Sequence, residues 1–178
     1  MSDTDQKLQN FLDLFEKWNQ RINLSAASTR AELTEHLEDC LHVVPILKDH
    51  PRVLDVGSGG GFPVVIAAIC LPESSFIALE PVHKKHAFLR TSARELQLSN
   101  LDAFAIRLED HPAHDYDAAM SRATFDLAEW LSMAVTRVRA GGVAIGFEGQ
   151  RRDDLGEVER ISYAVAGKPR ALVIRRST

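Results

Sequence analysis

The sequence predicts an α/β fold: a mostly parallel, seven-stranded sheet wrapped by helices, with an antiparallel C-terminal hairpin and an N-terminal helical extension. Three observations carry this. Residues 1–49 show helical periodicity, residues from Arg52 onward alternate short apolar runs with helical stretches, and a glycine-rich turn directly follows the first of those runs. The length of 178 residues fits a single domain, 1–178, with the extension at 1–49 and the core at 50–178.

Leu8, Phe11, Leu12, Phe15, Trp18 and Ile22 follow i, i+3, i+4, i+7 spacing, which predicts an amphipathic helix over 6–22 with Trp18 on its buried stripe. A polar linker follows at 23–28. Thr29 and Glu32 form a capping-box pair, and Leu33, Leu37, Cys40, Leu41 and Val44 then supply the buried stripe of a second helix reaching about Leu47. The strands expected after it are 52–56, 75–80, 101–106, 116–121 and 143–147, separated by helices at 63–70, 84–98 and 126–138. The segments 161–165 and 171–175, joined across 167–169, read as the closing hairpin.

Composition excludes several classes. With 45% apolar and 26% charged residues the chain is neither disordered nor of low complexity. Cys40 and Cys70 have no cysteine at metal-ligand spacing, which fits a reducing compartment and no disulfide framework. The start, Met1 to Asn10, lacks the cationic and apolar regions of a signal peptide, and no run reaches the ~18 apolar residues of a membrane span. A cytoplasmic protein with no membrane partner is expected. The His83/His86 and His111/His114 pairs lack a third ligand at recognisable spacing, so no metal is expected.

The chemistry begins at Val53-Leu54-Asp55-Val56-Gly57-Ser58-Gly59-Gly60-Gly61-Phe62, a buried strand running into a turn that opens a helix. A dinucleotide fingerprint needs glycine at its sixth position, where Phe62 stands. Gly57, Gly59 and Gly61 instead make G-x-G-x-G with Asp55 just before it, which suits S-adenosylmethionine, a ligand with no pyrophosphate. Glu80, at the end of the second strand, is placed to accept protons from both ribose hydroxyls. Arg107-Leu108-Glu109-Asp110 reads either as the adenine edge, with Leu108 against the ring and Glu109 beside it, or as a polar surface turn.

A methyl acceptor would approach beyond the fourth strand, which ends in Met120-Ser121-Arg122-Ala123-Thr124. No Asn- or Asp-Pro-Pro-aromatic motif, nucleophilic cysteine or committed base stands there. Guanine N7 needs none of these: it carries a free lone pair and no proton, so its methylation requires alignment and exclusion of water. No residue is therefore assigned as catalytic. Arg122 reads as a binder of a carboxylate, phosphate or base, or as one half of a structural salt bridge. His36 and Asp39, three apart on the second helix, share a face that lines the acceptor pocket or is simply solvated.

Taken in order, Trp18-Asn19-x-x-Ile22-Asn23-Leu24, Glu35-His36-x-x-Asp39, the glycine turn through Pro63, Lys84-Lys85-x-x-Phe88-Leu89-Arg90, Arg107-x-Glu109 and Ser121-Arg122-Ala123 resemble the bacterial small-subunit ribosomal RNA guanine-N7 methyltransferases, also called glucose-inhibited division protein B. The resemblance implies a Rossmann-like class I methyltransferase fold, S-adenosylmethionine as donor, and a guanosine in 16S rRNA of the small ribosomal subunit as acceptor. It also implies cofactor contacts at Gly57, Phe62, Leu108, Glu109 and Arg122. The chain departs from the family pattern at Val64, Thr124 and Glu148, and carries Glu80 in place of the commoner aspartate. A methyltransferase with another RNA or small-molecule acceptor, or a non-catalytic S-adenosylmethionine-binding protein, are the alternatives. A monomer is expected.

The net charge of -4 is unevenly spread: residues 150–178 carry 7 basic and 4 acidic groups. With Lys84, Lys85, Arg90 and Arg94 on one helix, Arg151, Arg152, Arg170, Arg175 and Arg176 would supply RNA phosphate contacts if they converge.

Overall fold

The computed structural model describes residues 2–27 and 29–178, so Met1 and Ser28, the ends of the expected polar start and linker, lie outside it. Helix α1 (Asp3–Ile22) starts before its apolar stripe does. Ser2 accepts from the Asp5 N–H while the Asp5 carboxylate accepts from the Ser2 N–H, a capping box that extends the helix by almost a turn. Helix α2 (Arg30–Leu41) opens on the expected Thr29/Glu32 box. It does not run on to Leu47. Pro45 has no N–H to offer the Leu41 carbonyl, so the chain breaks and resumes as the single turn α3 (Val44–Leu47), which buries Val43 and Leu47 fully.

The sheet comprises β1 (Arg52–Val56), β2 (Ser75–Leu79), β3 (Leu101–Phe104), β4 (Tyr116–Ser121), β5 (Val138–Glu148), β6 (Glu159–Val165) and β7 (Lys168–Arg176). Their spatial order is β3-β2-β1-β4-β5-β7-β6, with β7 antiparallel to both of its neighbours and the other pairings parallel. Three helices join the parallel strands: α4 (Val64–Cys70), α5 (His83–Glu95) and α6 (Leu127–Ala134). Strand order reverses between β1 and β4, so their C-terminal ends form the switch point where such sheets bind ligands.

Several further boundaries differ from those expected: β3 stops at Phe104, β5, β6 and β7 run longer, and α5 and α6 end early. Helix α5 stops at Glu95 because Gln97 takes φ 55 and the Leu98 N–H turns back to the Ala93 carbonyl at 2.8 Å, a C-terminal closure without the usual glycine. Helix α6 ends at Ala134, and Val138, spaced as a helical apolar residue, starts β5 opposite Tyr116. The β-branched Val135, Thr136 and Val138 favour extended backbone over a continued helix.

Alternation along β1 places Val53 in one apolar cluster and Leu54 and Val56 in another, on opposite faces of the sheet. The first cluster includes Leu8, Phe11 and Phe15 of α1, packed against α4 and α5. Asp55 shares the Val53 face and is therefore buried beneath this helical layer.

Candidate functional site

The β1–α4 turn is shaped by positive φ at Gly57 (71°), Gly59 (52°) and Gly61 (86°). These glycines do different work. A Cβ on Gly61 would meet Val65 at 2.6 Å and one on Gly60 would collide with the Phe15 ring, so both let helices approach. At Gly59 the nearest atom would be the Gly57 carbonyl at 3.8 Å, which leaves open space over bare backbone. Glu80 braces the turn: one oxygen accepts from the Gly59 N–H and the other from the Val82 N–H, each at 2.8 Å. Each oxygen retains a lone pair for a further donor.

Asp55 lies under this turn, 1% exposed, and its Oδ2 has no hydrogen-bond partner. Burial pushes its carboxyl up to about 7; the Ser58 hydroxyl lowers it and the nearby Glu80 charge raises it. A buried carboxylate oxygen left unpartnered beside open glycine backbone is a site that fits a cationic ligand such as a sulfonium or ammonium group.

A cavity of about 200 Å³ opens at Gly57–Gly60. One side of its wall comes from the N-terminal extension: Phe15, Leu24, Ser25 and His36 face Phe62, Lys85 and Arg122. Asn19 builds that side by accepting from the Ser25 N–H and donating to the Ala27 carbonyl, both at 2.9 Å, which pins the 23–27 loop over the turn. This gives the Trp-Asn-x-x-x-Asn-Leu spacing a physical reason. Phe62, preceding a cis Pro63, sits 5.1 and 5.2 Å from the Phe11 and Phe15 rings. Thr124 presses on Gly57 and donates to its carbonyl at 3.1 Å.

Arg122 leaves the end of β4 and meets His36 and Asp39 on α2, a pairing that the sequence alone does not predict. Its Nε donates to Asp39 Oδ2 at 2.8 Å and an Nη lies 2.6 Å from His36 Nδ1. Tyr163, from β6, donates to the other Asp39 oxygen at 2.7 Å and stacks on His42. A guanidinium only donates, so His36 Nδ1 accepts and neutral His36 carries its proton on Nε2. Burial, and then the Arg122 charge, hold the imidazole below its usual 6.5. Arg122 is thus both an ion-pair partner and a lining residue. With His36 it lines a second cavity of about 400 Å³, bounded by Glu32 and Glu35 of α2 and by Lys168 and Arg170 of β7.

Other expected residues stand apart from these two cavities. Leu108 and Glu109 form a single 3₁₀ turn; Leu108 is buried in the second apolar cluster and Glu109 is exposed. Val82 and Phe104, among the most exposed large apolar side chains, follow β2 and end β3 at the same edge of the sheet, and no sequence motif marked them. The basic residues do not all converge. Arg152 pairs with Asp126 and Asp154, Arg176 with Glu159 and Arg94 with Glu95, while Lys85, Lys168 and Arg170 reach the cavities. Glu148, one of the departures from the family pattern, is held in an internal pair: it is 5% exposed and accepts from the Arg160 guanidinium at 3.1 Å and from the Arg152 N–H at 2.8 Å. Among the described residues no three His, Cys, Asp or Glu side chains gather to hold a metal, and no helix is long and apolar enough to cross a membrane.

A seven-stranded sheet in this order, with a glycine turn after β1 and a carboxylate ending β2, defines the S-adenosylmethionine-dependent methyltransferases. The fold is similar to that of the O-methyltransferase TomG from Streptomyces achromogenes, solved in complex with SAM, with a TM-score of 0.65 and 14% identity over 94% of this chain and 90% of that one. Within that class the chain belongs to the family described as GidB, rRNA small subunit methyltransferase G, whose model matches residues 4–174. Two similar relatives carry the name Ribosomal RNA small subunit methyltransferase G. The one from Helicobacter hepaticus is 34% identical over 79% of this chain and 78% of its own length; the one from Syntrophotalea carbinolica is 32% identical over 92% and 85%.

Proposed function

We propose that this protein transfers a methyl group from S-adenosylmethionine to N7 of a guanosine in 16S rRNA, acting in the cytoplasm as a monomer, with residues 1–178 forming a single methyltransferase domain. The observation that carries the reading is the pair of adjoining cavities at the ends of β1 and β4, one against bare glycine backbone and one between α2 and the β6–β7 hairpin, with His36 and Arg122 lining both.

On the donor side, Gly59 exposes bare backbone, Gly57 and Gly61 give the turn its shape, and Asp55 offers its unpartnered oxygen to positive charge. Glu80 accepts the ribose hydroxyls, Val82, Leu108 and Glu109 flank the adenine, and Phe62 closes the wall beside Arg122, which takes the methionine carboxylate. When bound, S-adenosylmethionine supplies an electrophilic methyl group. The residues of the chain then have three tasks: to hold donor and acceptor in line, to exclude water and to tolerate the positive charge that passes to the base. No proton leaves guanine N7, so neither His36 nor Asp39 needs to act as a base.

Incubation with radiolabelled donor and small ribosomal subunits from a strain lacking the modification tests this. Label should appear in 16S rRNA as 7-methylguanosine on nucleoside analysis. Intact donor binding without label in RNA would overturn the reading in favour of a non-catalytic binding protein.

A further inference from the structure

Charge divides the larger cavity. Glu32 and Glu35 of α2 line one side, Lys168 and Arg170 of β7 line the other, and His36 and Arg122 form the wall shared with the donor cavity. A nucleotide has the same division: an anionic phosphate at one end and, in guanine, an edge of N–H donors beside the O6 acceptor and N7. The Arg122 charge on the shared wall is already met by Asp39, so the phosphate is drawn to the β7 side, away from Glu32 and Glu35, and the base then lies toward α2 and the shared wall.

Resting on the donor assignment above, we propose that this cavity is the subsite for the target nucleotide, extruded from the RNA, with Lys168 and Arg170 holding its phosphate and the His36 Nε2–H donating to guanine O6. O6 and N7 lie on the same edge of the purine, so a donor fixed on the shared wall brings N7 to face the donor cavity. The tautomer that makes this possible is set inside the protein. Asp39 holds the Arg122 guanidinium, Arg122 occupies His36 Nδ1, and the imidazole proton is left on Nε2. Arg170 is restrained by a 3.3 Å bond from one Nη to the Gly149 carbonyl, and Lys168 is exposed, so both have donors to spare for a phosphate. His36 is therefore a positioning residue for the base, and the β6–β7 hairpin an RNA-gripping element. Extruded bases are bound in pockets of this kind by edge hydrogen bonds and backbone charge contacts.

The test is single-turnover transfer from labelled donor to unmodified small subunits, with donor affinity measured separately by calorimetry. Wild-type protein that binds donor but labels no RNA overturns the donor-and-acceptor reading itself and the subsite with it. With wild-type transfer present, Lys168→Ala and Arg170→Ala should together raise the half-saturating RNA concentration about tenfold and lower the salt-dependence slope by about one each, leaving donor affinity unchanged. His36→Ala should slow transfer at saturating RNA about thirtyfold, and His36→Gln, which keeps an N–H donor, should recover most of it. Unchanged RNA dependence in the two β7 variants overturns the phosphate assignment. A His36→Gln variant as slow as His36→Ala, or a rate loss matched by loss of donor affinity, overturns the O6 assignment.

Discussion

Replacing Asp55 by asparagine should stabilise the protein in a strongly pH-dependent way. In the unfolded chain the carboxyl titrates near 3.8, whereas burial beneath α4 and α1 raises it to about 7 in the fold. The folded state therefore holds the proton that the unfolded state releases. Stability from this group is fully present below the unfolded value and is lost as pH rises through about 7. At 1.36 kcal/mol per pH unit, the folded state bears a penalty of about 1 kcal/mol at about pH 4.5, rising to about 4 kcal/mol at about pH 8. The amide introduced by Asp55→Asn does not titrate, and any packing offset it brings is the same at each pH. The quantity to measure is thus the rise in the stability gap between variant and wild type, about 3 kcal/mol across this range. Urea unfolding of both proteins at several pH values gives it directly. A gap that stays flat from acid to base would show that Asp55 ionises like an exposed carboxylate, and would refute the argument from its burial and unpartnered oxygen.

Gly59→Asp should fold with a loss of about 1 kcal/mol, from its left-handed backbone alone, yet abolish donor binding in calorimetry, whereas Gly61→Ala should lower the melting temperature through its collision with Val65. Arg122→Ala should lose transfer activity and also about 3 kcal/mol of stability in urea, because it strands Asp39, itself 7% exposed. Tyr163→Phe, which removes only the hydroxyl bonded to Asp39, should lose about 2 kcal/mol by the same measurement. Since His36 is held below 6.5, transfer at saturating donor should stay constant above that pH and decline below it; persistence of the decline in His36→Gln would assign it to another group.

The strands of the core were legible because their signals are local. β1 and β4 fall on their expected residues, since a buried parallel strand reads as a short apolar run bounded by polar turns. Boundaries slipped where a contact distant in sequence or an atypical cap decided them: Ser2 extended α1, Gln97 ended α5 without a glycine, and the pairing of Val138 with Tyr116 drew it out of the helix. Of the site, the glycine turn, Asp55 and Glu80 were readable because one strand-turn-helix unit and the end of the next strand carry them.

Local pattern, then, determined the α/β class, the glycine-rich turn after β1 and the helix face bearing His36 and Asp39. Tertiary packing alone decided that this face meets Arg122, that Tyr163 closes on Asp39 from β6, and that Asn19 carries the 23–27 loop over the glycine turn. It also decided which charges converge: Lys168 and Arg170 reach a cavity, while Arg152 and Glu148 are held in internal pairs. The physical reason is range. Periodicity and capping record what a residue does within a few positions of itself, whereas Arg122 and Asp39 are 83 residues apart and Tyr163 and Asp39 are 124 apart, brought together by the sheet order and the helices packed on it.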